Sequence, residues 1–277
     1  NVWWRLLNHL IVLAEEPIDL PAEPLVRQFT WGELPVALAY GFPEVARCDR
    51  LLADGRRASI AGLKSVLDGG GYPHCRVLPE VRPLLASWTR CRALGDHLEG
   101  AWGGVQADRQ YRALLDAALR LSRPGGQPAF SAPDSPAWDD SLLAAATRMT
   151  GRDSARLRRL TTDGRTSNRT DDSLPKPAFD NESAGLAQLR SNWSPASPGM
   201  TVAYGLRPPR IELSVDTRML LAGTWDVEIT QAGRRLEPTG NWQQTCWLSD
   251  HDMDYLELCL DLTNGVELER HILLARE

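Results

Sequence analysis

The apolar residues change their spacing partway along the chain, and that change limits the folds open to it. Up to about Leu121 they recur three and four residues apart. Trp3, Leu6, Leu7, Leu10 and Leu13 do so in the first segment, and Val81, Leu84, Leu85, Trp88, Cys91 and Leu94 in a later one. That period lines up one side of a helix. Further helices are predicted over 31–40, 43–52, 58–67, 106–121 and 138–159, separated by Gly, Pro and acidic clusters. Beyond residue 183 the period is two. Trp225, Val227 and Ile229 alternate with polar residues, as do Leu256, Leu258, Leu260 and Leu262, and Asn264-Gly265 supplies a hairpin turn. Short strands are also expected at 200–204, 210–215 and 219–221. The expected fold class is α+β: a helical domain over 1–160, an exposed linker over 161–182 almost without apolar side chains, and an antiparallel β-sandwich over 183–277.

Composition narrows the function classes. Lys+Arg 31 against Asp+Glu 36 leaves a net charge of −5, which argues against a nucleic-acid binder with a basic face. Lys64 and Lys176 are the only lysines, so the positive charge is nearly all arginine, whose planar fork suits carboxylates. The acidic excess falls after residue 161. No apolar run near the start is long enough to cross a bilayer. The five cysteines lack metal-ligand spacing and read as buried free thiols. Asn1 in place of Met, and the apolar run just before Glu277, are read as a chain cut at both ends.

Two stretches resemble the heparinase II/III and alginate-lyase group of polysaccharide lyases. The first is Gly62-Leu63-Lys64-Ser65-Val66-Leu67-Asp68-Gly69-Gly70-Gly71-Tyr72-Pro73-His74, similar to a helix ending in an Asp-Gly turn followed by a Tyr and a His. The second is Asn181-Glu182-Ser183-Ala184-Gly185-Leu186-Ala187-Gln188-Leu189-Arg190-Ser191-Asn192-Trp193, similar to the strand that opens the β-domain in that group. The resemblance implies an α/α toroid-like first domain, an acidic polysaccharide or oligosaccharide partner, and a periplasmic or secreted location. The chain departs from the family pattern after Trp193. Residues 194–223 hold no histidine where the family carries H-x-H-x-D, and His251 and His271 stand apart.

A lyase of this kind removes the proton beside a uronate carboxylate and expels the glycosidic oxygen. The carboxylate charge must be neutralised by placed donors, a base must take the proton, and an acid must serve the leaving oxygen. Tyr72 is the expected base or acid, His74 its partner or a neutraliser, and Arg76 the group that meets the uronate. The structural alternative is that Tyr72-Pro73 only caps a helix junction while His74 bonds a backbone carbonyl. Trp31 and Trp102, both beside glycines, are candidates to stack on sugar rings. Arg82 and Arg90, eight apart on one predicted helix, are candidates to face a polyanion, or else are solvated or paired with Glu80. Trp88 reads as helical core, and Trp225, Trp242 and Trp247 as sandwich core. Asp134, Asp139 and Asp140 offer at most a glycosidase-like carboxylate pair. No cofactor is expected, and no residue is assigned to a metal. A non-catalytic carbohydrate-binding or scaffold protein is the alternative function.

Overall fold

The computed structural model describes residues 2–16, 23–100, 102–123, 126–132, 137, 140–151, 176–194, 196–216 and 218–276. Helices come first: α1 (Val2–Glu15), α2 (Pro24–Arg27), a π-helical stretch (Gln28–Glu33), α3 (Leu34–Gly41), α4 (Ala46–Val66), a 3-10 stretch (Cys75–Glu80), α5 (Val81–Gly95), α6 (Gly104–Arg120) and α7 (Asp140–Thr150). Ten strands follow: β1 (Phe179–Asn181), β2 (Leu186–Arg190), β3 (Gly199–Ala203), β4 (Arg210–Val215), β5 (Arg218–Thr224), β6 (Thr230–Gln231), β7 (Arg234–Arg235), β8 (Gln243–Ser249), β9 (Met253–Asp261) and β10 (Glu267–Ala275). No helix among the described residues is long and apolar enough to cross a membrane. The chain divides into two units. One holds Asn1–Pro73, Glu80–Leu115 and Asp140–Ser154; the other holds His74–Pro79, Asp116–Asp139 and Ala155–Glu277.

In the first unit, α1 turns a different side inward from the one the spacing suggests. Leu7, Ile11 and Ala14 are buried with Leu38, Cys48 and Leu51, whereas Trp3 and Leu6 are 61% and 48% exposed. Helix α1 is apolar on more than one side, so its packing partners chose the stripe. The helices expected at 43–52 and 58–67 are one helix, α4. Gly55 does not break it but lets it approach its neighbour. A Cβ there would stand 2.8 Å from the Pro35 Cβ and 3.1 Å from the Gly32 carbonyl oxygen. The helix expected at 31–40 is likewise two elements. A π-helical stretch takes up an extra residue before Pro35, which then sits at the start of α3, where its missing N–H costs nothing. Trp88, fully buried, plugs the helical core as expected. Helix α7 ends at Gly151, which takes the left-handed φ of +68°. Residues 152–160, most of the expected linker (161–175), and Asp134 and Asp139 lie outside the described residues.

The second unit is built on a five-stranded antiparallel sheet in the order β1-β2-β3-β4-β5 and a three-stranded sheet β10-β9-β8. Both face one core. Leu189, Val202 and Ile211 from the first sheet meet Leu256, Leu258, Leu260 and Ile272 from the second, with Trp242 among them. This is a sandwich-like arrangement of two alternating sheets. Asn264 and Gly265 both take positive φ, 66° and 69°, as an Asn-Gly turn requires. The segment 225–229, expected as a strand, is in no ladder. The Trp225 N–H still donates to the Pro209 carbonyl (2.7 Å), next to the last β4–β5 pair, but the Val227 N–H then turns to the Asp226 carboxylate (2.9 Å) instead of a neighbouring strand. Of the five thiols, four are buried, but Cys246 is exposed on β8.

One ion pair fastens this unit internally. The Arg123 Nε and Nη2 donate to the two Glu212 oxygens at 2.7 Å each, and the Phe130 N–H donates to the same carboxylate at 2.6 Å. The two side chains are 4% and 2% exposed. Removing one member of such a pair leaves the other buried and uncompensated. Glu212→Ala is therefore expected to lower unfolding free energy by about 3–5 kcal/mol, read from urea midpoints. A loss within the range of surface substitutions would contradict this role.

Candidate functional site

The turn after α4 is built by backbone bonding around one carboxylate. The Tyr72 N–H donates to the Asp68 Oδ1 (2.6 Å), the Asp68 N–H to the Tyr72 carbonyl (2.8 Å) and the Gly71 N–H to the Asp68 carbonyl (3.1 Å). Leu67 and Pro73 pair across the base of the turn. The Gly run is needed because Gly71 has a φ of +86°, and a Cβ there would stand 2.3 Å from the Ala113 Cβ of α6. This closed loop holds Tyr72 half-buried.

Tyr72 and its expected partners fall in different units, since the division comes between Pro73 and His74. In the second unit His74 is half-buried, and its carbonyl accepts the Val77 N–H at 2.9 Å. Arg76 is exposed. Between them the Cys75 N–H donates to the Ala184 carbonyl at 2.9 Å, and its thiol lies against Gly205 and Gly185. Burial pushes the Cys75 thiol up, so it is held as a protonated, packed group.

The remaining candidates belong to the first unit. Arg90 is bound by Glu33, which accepts from Nε at 2.5 Å and from Nη2 at 2.8 Å; its partner is thus Glu33, not the expected Glu80. Glu80 instead accepts the Leu25 N–H at 2.8 Å. Arg82 is half-buried on the same helix. The Trp102 indole N–H donates to the Asp108 Oδ1 at 2.8 Å, an oxygen shared with the Arg92 Nε at 3.0 Å, and its ring meets Tyr111 edge-on. Trp31 lies in the π-helical stretch with the Arg27 guanidinium 5.6 Å from its ring centre, and its buried Nε1 has no hydrogen-bond partner among the described residues. Trp31 and Arg90 thus fall on two elements that pack together, the π-helical stretch and α5, while Tyr72 falls on the turn packed against α6. A groove of about 420 Å³ runs beside Arg90, walled by Val26, Phe29, Pro83 and Ala86. It is apolar, with Arg90 as its cation.

The sequence reading missed Asp180 and Tyr204 in the second unit. The Tyr204 hydroxyl donates to the Asp180 Oδ1 at 3.0 Å. Burial raises the Asp180 carboxyl to about 6, and burial together with the carboxylate pushes the Tyr204 phenol well above its usual range. Such a phenol does not ionise near neutral pH, whereas a carboxyl that titrates near 6 is mostly ionised there, so Asp180 rather than Tyr204 is the member of this pair able to accept a proton. The strand expected at 200–204 was the only sequence signal for it; Tyr204 follows directly on the last residue of β3, Ala203. His271 is also not isolated. Its Nδ1 lies 2.7 Å from the Tyr255 hydroxyl, which donates to Glu257 at 2.7 Å.

No protein-family model matches the chain, and the search of curated proteins found no match. Solved structures do match. Heparan sulfate lyase HepC from Pedobacter heparinus is similar at a TM-score of 0.69 and 14% identity, over 99% of this chain and 46% of that one. A heparinase III gene product is similar at 0.69 and 13% identity over 98% and 46%, and a further heparinase III at 0.66 and 12% over 98% and 48%. The chain spans about half the length of these proteins. The likeness is one of fold: helices followed by antiparallel sheets.

Two outcomes test the site's construction. Gly71→Ala, strained by φ and by contact with Ala113, is expected to cost about 2 kcal/mol in a urea melt; a neutral effect would mean the turn is loosely held. Asp180 has its folded pKa raised from 3.8 to about 6, so its contribution to stability is full below pH 3.8 and is lost as pH rises through about 6. The stability of Asp180→Asn relative to the native chain should therefore increase between pH 4 and pH 7. A difference that does not change with pH would contradict it.

Proposed function

We propose that the chain is part of a polysaccharide lyase-like protein that cleaves uronic-acid-containing glycans by β-elimination. The observation that carries the reading is the likeness of nearly the whole chain to glycan lyases in the order and packing of its helices and sheets. Heparan sulfate is one substrate to test, since similar folds act on it.

Of the five tyrosines, Tyr111 and Tyr204 are buried with raised phenols, Tyr40 is exposed on α3, and Tyr255 is pushed up to about 12 by its bond to Glu257. Tyr72 is the one mounted on a glycine-built turn, half open to solvent. In this reading Tyr72 takes the proton beside the uronate carboxylate or returns one to the leaving oxygen. His74 and Arg76 neutralise the carboxylate, which is what makes the carbon acidic enough to lose a proton. Arg82, Arg90, Trp31 and Trp102 bind the flanking sugars, and the reaction needs no cofactor.

A second reading is favoured by a specific observation. Residues 194–223 contain no histidine, and the acidic residue of that stretch on β4, Glu212, is committed to Arg123. A glycan-binding protein on lyase architecture, without elimination, fits that composition.

The two are separated by ultraviolet absorbance of the unsaturated uronate product, using heparan sulfate, hyaluronan and alginate as substrates. Absorbance should rise for the native chain, and Tyr72→Phe should slow it at least about a hundredfold. Rising absorbance unaffected by Tyr72→Phe would remove Tyr72 from the chemistry. Flat traces with glycan retained on an affinity gel would establish the binding reading instead.

A further inference from the structure

A cavity of about 290 Å³ lies within the second unit, and none of the candidate site residues above lines it. Its wall includes Trp225, Trp242 and Leu260, and its charged groups include Arg207, Asp226 and Arg235. The aromatic part is rigidly built. The Arg270 guanidinium lies 4.2 Å from the Trp225 ring centre and 4.6 Å from that of Trp242, and its Nη1 donates to the Trp225 carbonyl at 2.7 Å. The Trp225 N–H in turn bonds Pro209, two residues from Arg207. The two indoles are thus fixed by cation–π contact and by backbone bonds rather than by apolar packing alone.

The charged groups are not equivalent. Arg235 is paired with Glu237 at 3.2 Å and with Glu228 at 3.9 Å. Asp226 accepts from its neighbour's backbone N–H through Oδ1. Arg207 is exposed and has no hydrogen bond or ion pair among the described residues. A cavity of this size holds a ring or two rather than a long ligand. An indole wall suits the C–H face of a pyranose, a carboxylate such as Asp226 accepts sugar hydroxyls, and an unpaired arginine fork suits a carboxylate. The neighbouring Asp226, Glu228 and Glu237 disfavour a densely charged polyanion, leaving a ligand with one carboxylate per repeat as the better fit.

We propose that this cavity is a second saccharide site, which takes one hexuronate unit of a glycan with its carboxylate on Arg207 and its ring against Trp225. The choice of a uronate rests on the proposed function above, while the aromatic cavity and its unpaired arginine stand without it. Such a site would hold a polymer to the β-unit independently of any elimination.

Isothermal titration with hyaluronan and alginate tetrasaccharides tests it, with cellotetraose as the neutral probe. A uronate tetrasaccharide should bind the native chain more tightly than cellotetraose. Arg207→Ala should weaken that binding roughly tenfold, and Trp225→Ala should weaken it further. Arg218→Ala, which removes an exposed charge on β5, should leave it unchanged. Arg207 is exposed, so its variant tests the site even where Trp225→Ala fails to fold. Binding that survives Arg207→Ala, or no binding of either uronate, would overturn the proposal. Elimination is read separately by absorbance. Arg207-dependent binding without elimination would sink the lyase reading and keep the site, and elimination without Arg207-dependent binding would do the reverse.

Discussion

The second unit depends on charged groups placed where water does not reach them and met by partners from other strands and loops. Arg190 on β2 is buried, which lowers its guanidinium to about 10, still well above neutral pH, so it remains charged. Its Nη2 donates to the Ser122 carbonyl at 2.9 Å and its plane lies 5.4 Å from the Trp193 ring centre. Its backbone N–H donates to the Asp254 Oδ2 at 2.9 Å, and Asp254, fully buried on β9, is also bonded by Ser249 and Arg276. Two sheets that would otherwise share only apolar contacts are thereby held in one register. Sliding a strand by one residue would leave a buried carboxylate without donors as well as exposing leucines. Glu212 on β4 likewise meets the Arg123 guanidinium and the Phe130 N–H.

Close backbone approach is the matching constraint on the helices and turns. Gly55 admits Pro35, Gly71 admits Ala113, and Gly185 with Gly205 admits the Cys75 sulfur. The Gly71 contact bears on the turn that carries Tyr72 in the first unit, and the Gly185 and Gly205 contacts on Cys75, between His74 and Arg76, in the second. The functional consequence is a Tyr72 whose backbone is over-determined while its side chain stays half open. On the proposed reading, a side chain mounted this way would meet a substrate that must be oriented before a proton moves.

On the proposed reading, a polysaccharide would engage the chain over several sugar units at separate places. The apolar groove beside Arg90 lies in the helical unit, and the tryptophan-walled cavity beside Arg207 lies in the β-unit. Linking weak sites along one polymer raises the effective concentration at each without new contacts. On that reading arginine rather than lysine suits both places, because a planar fork can be stacked, paired or left free for a carboxylate.

The division into helices and then strands was legible in the sequence, because periods of 3.6 and two follow from backbone geometry alone. So were the Asn264-Gly265 turn, whose two positive φ values few other residue pairs adopt, and the glycine turn ahead of Tyr72. Which stripe of α1 faces inward was not legible, since Leu6 and Leu7 are equally apolar and only α3 and α4 distinguish them. The helices expected at 43–52 and 58–67 read as separate because a sequence does not show what approaches the Gly55 between them. Arg90 read as free or paired with Glu80, because its true partner, Glu33, lies 57 positions away on another element. The same holds for Asp180 with Tyr204, and for Arg270 between its two tryptophans. Local spacing determined which elements form. Long-range packing decided which charges are buried, which are paired, and which, like Arg207, have no partner among the described residues.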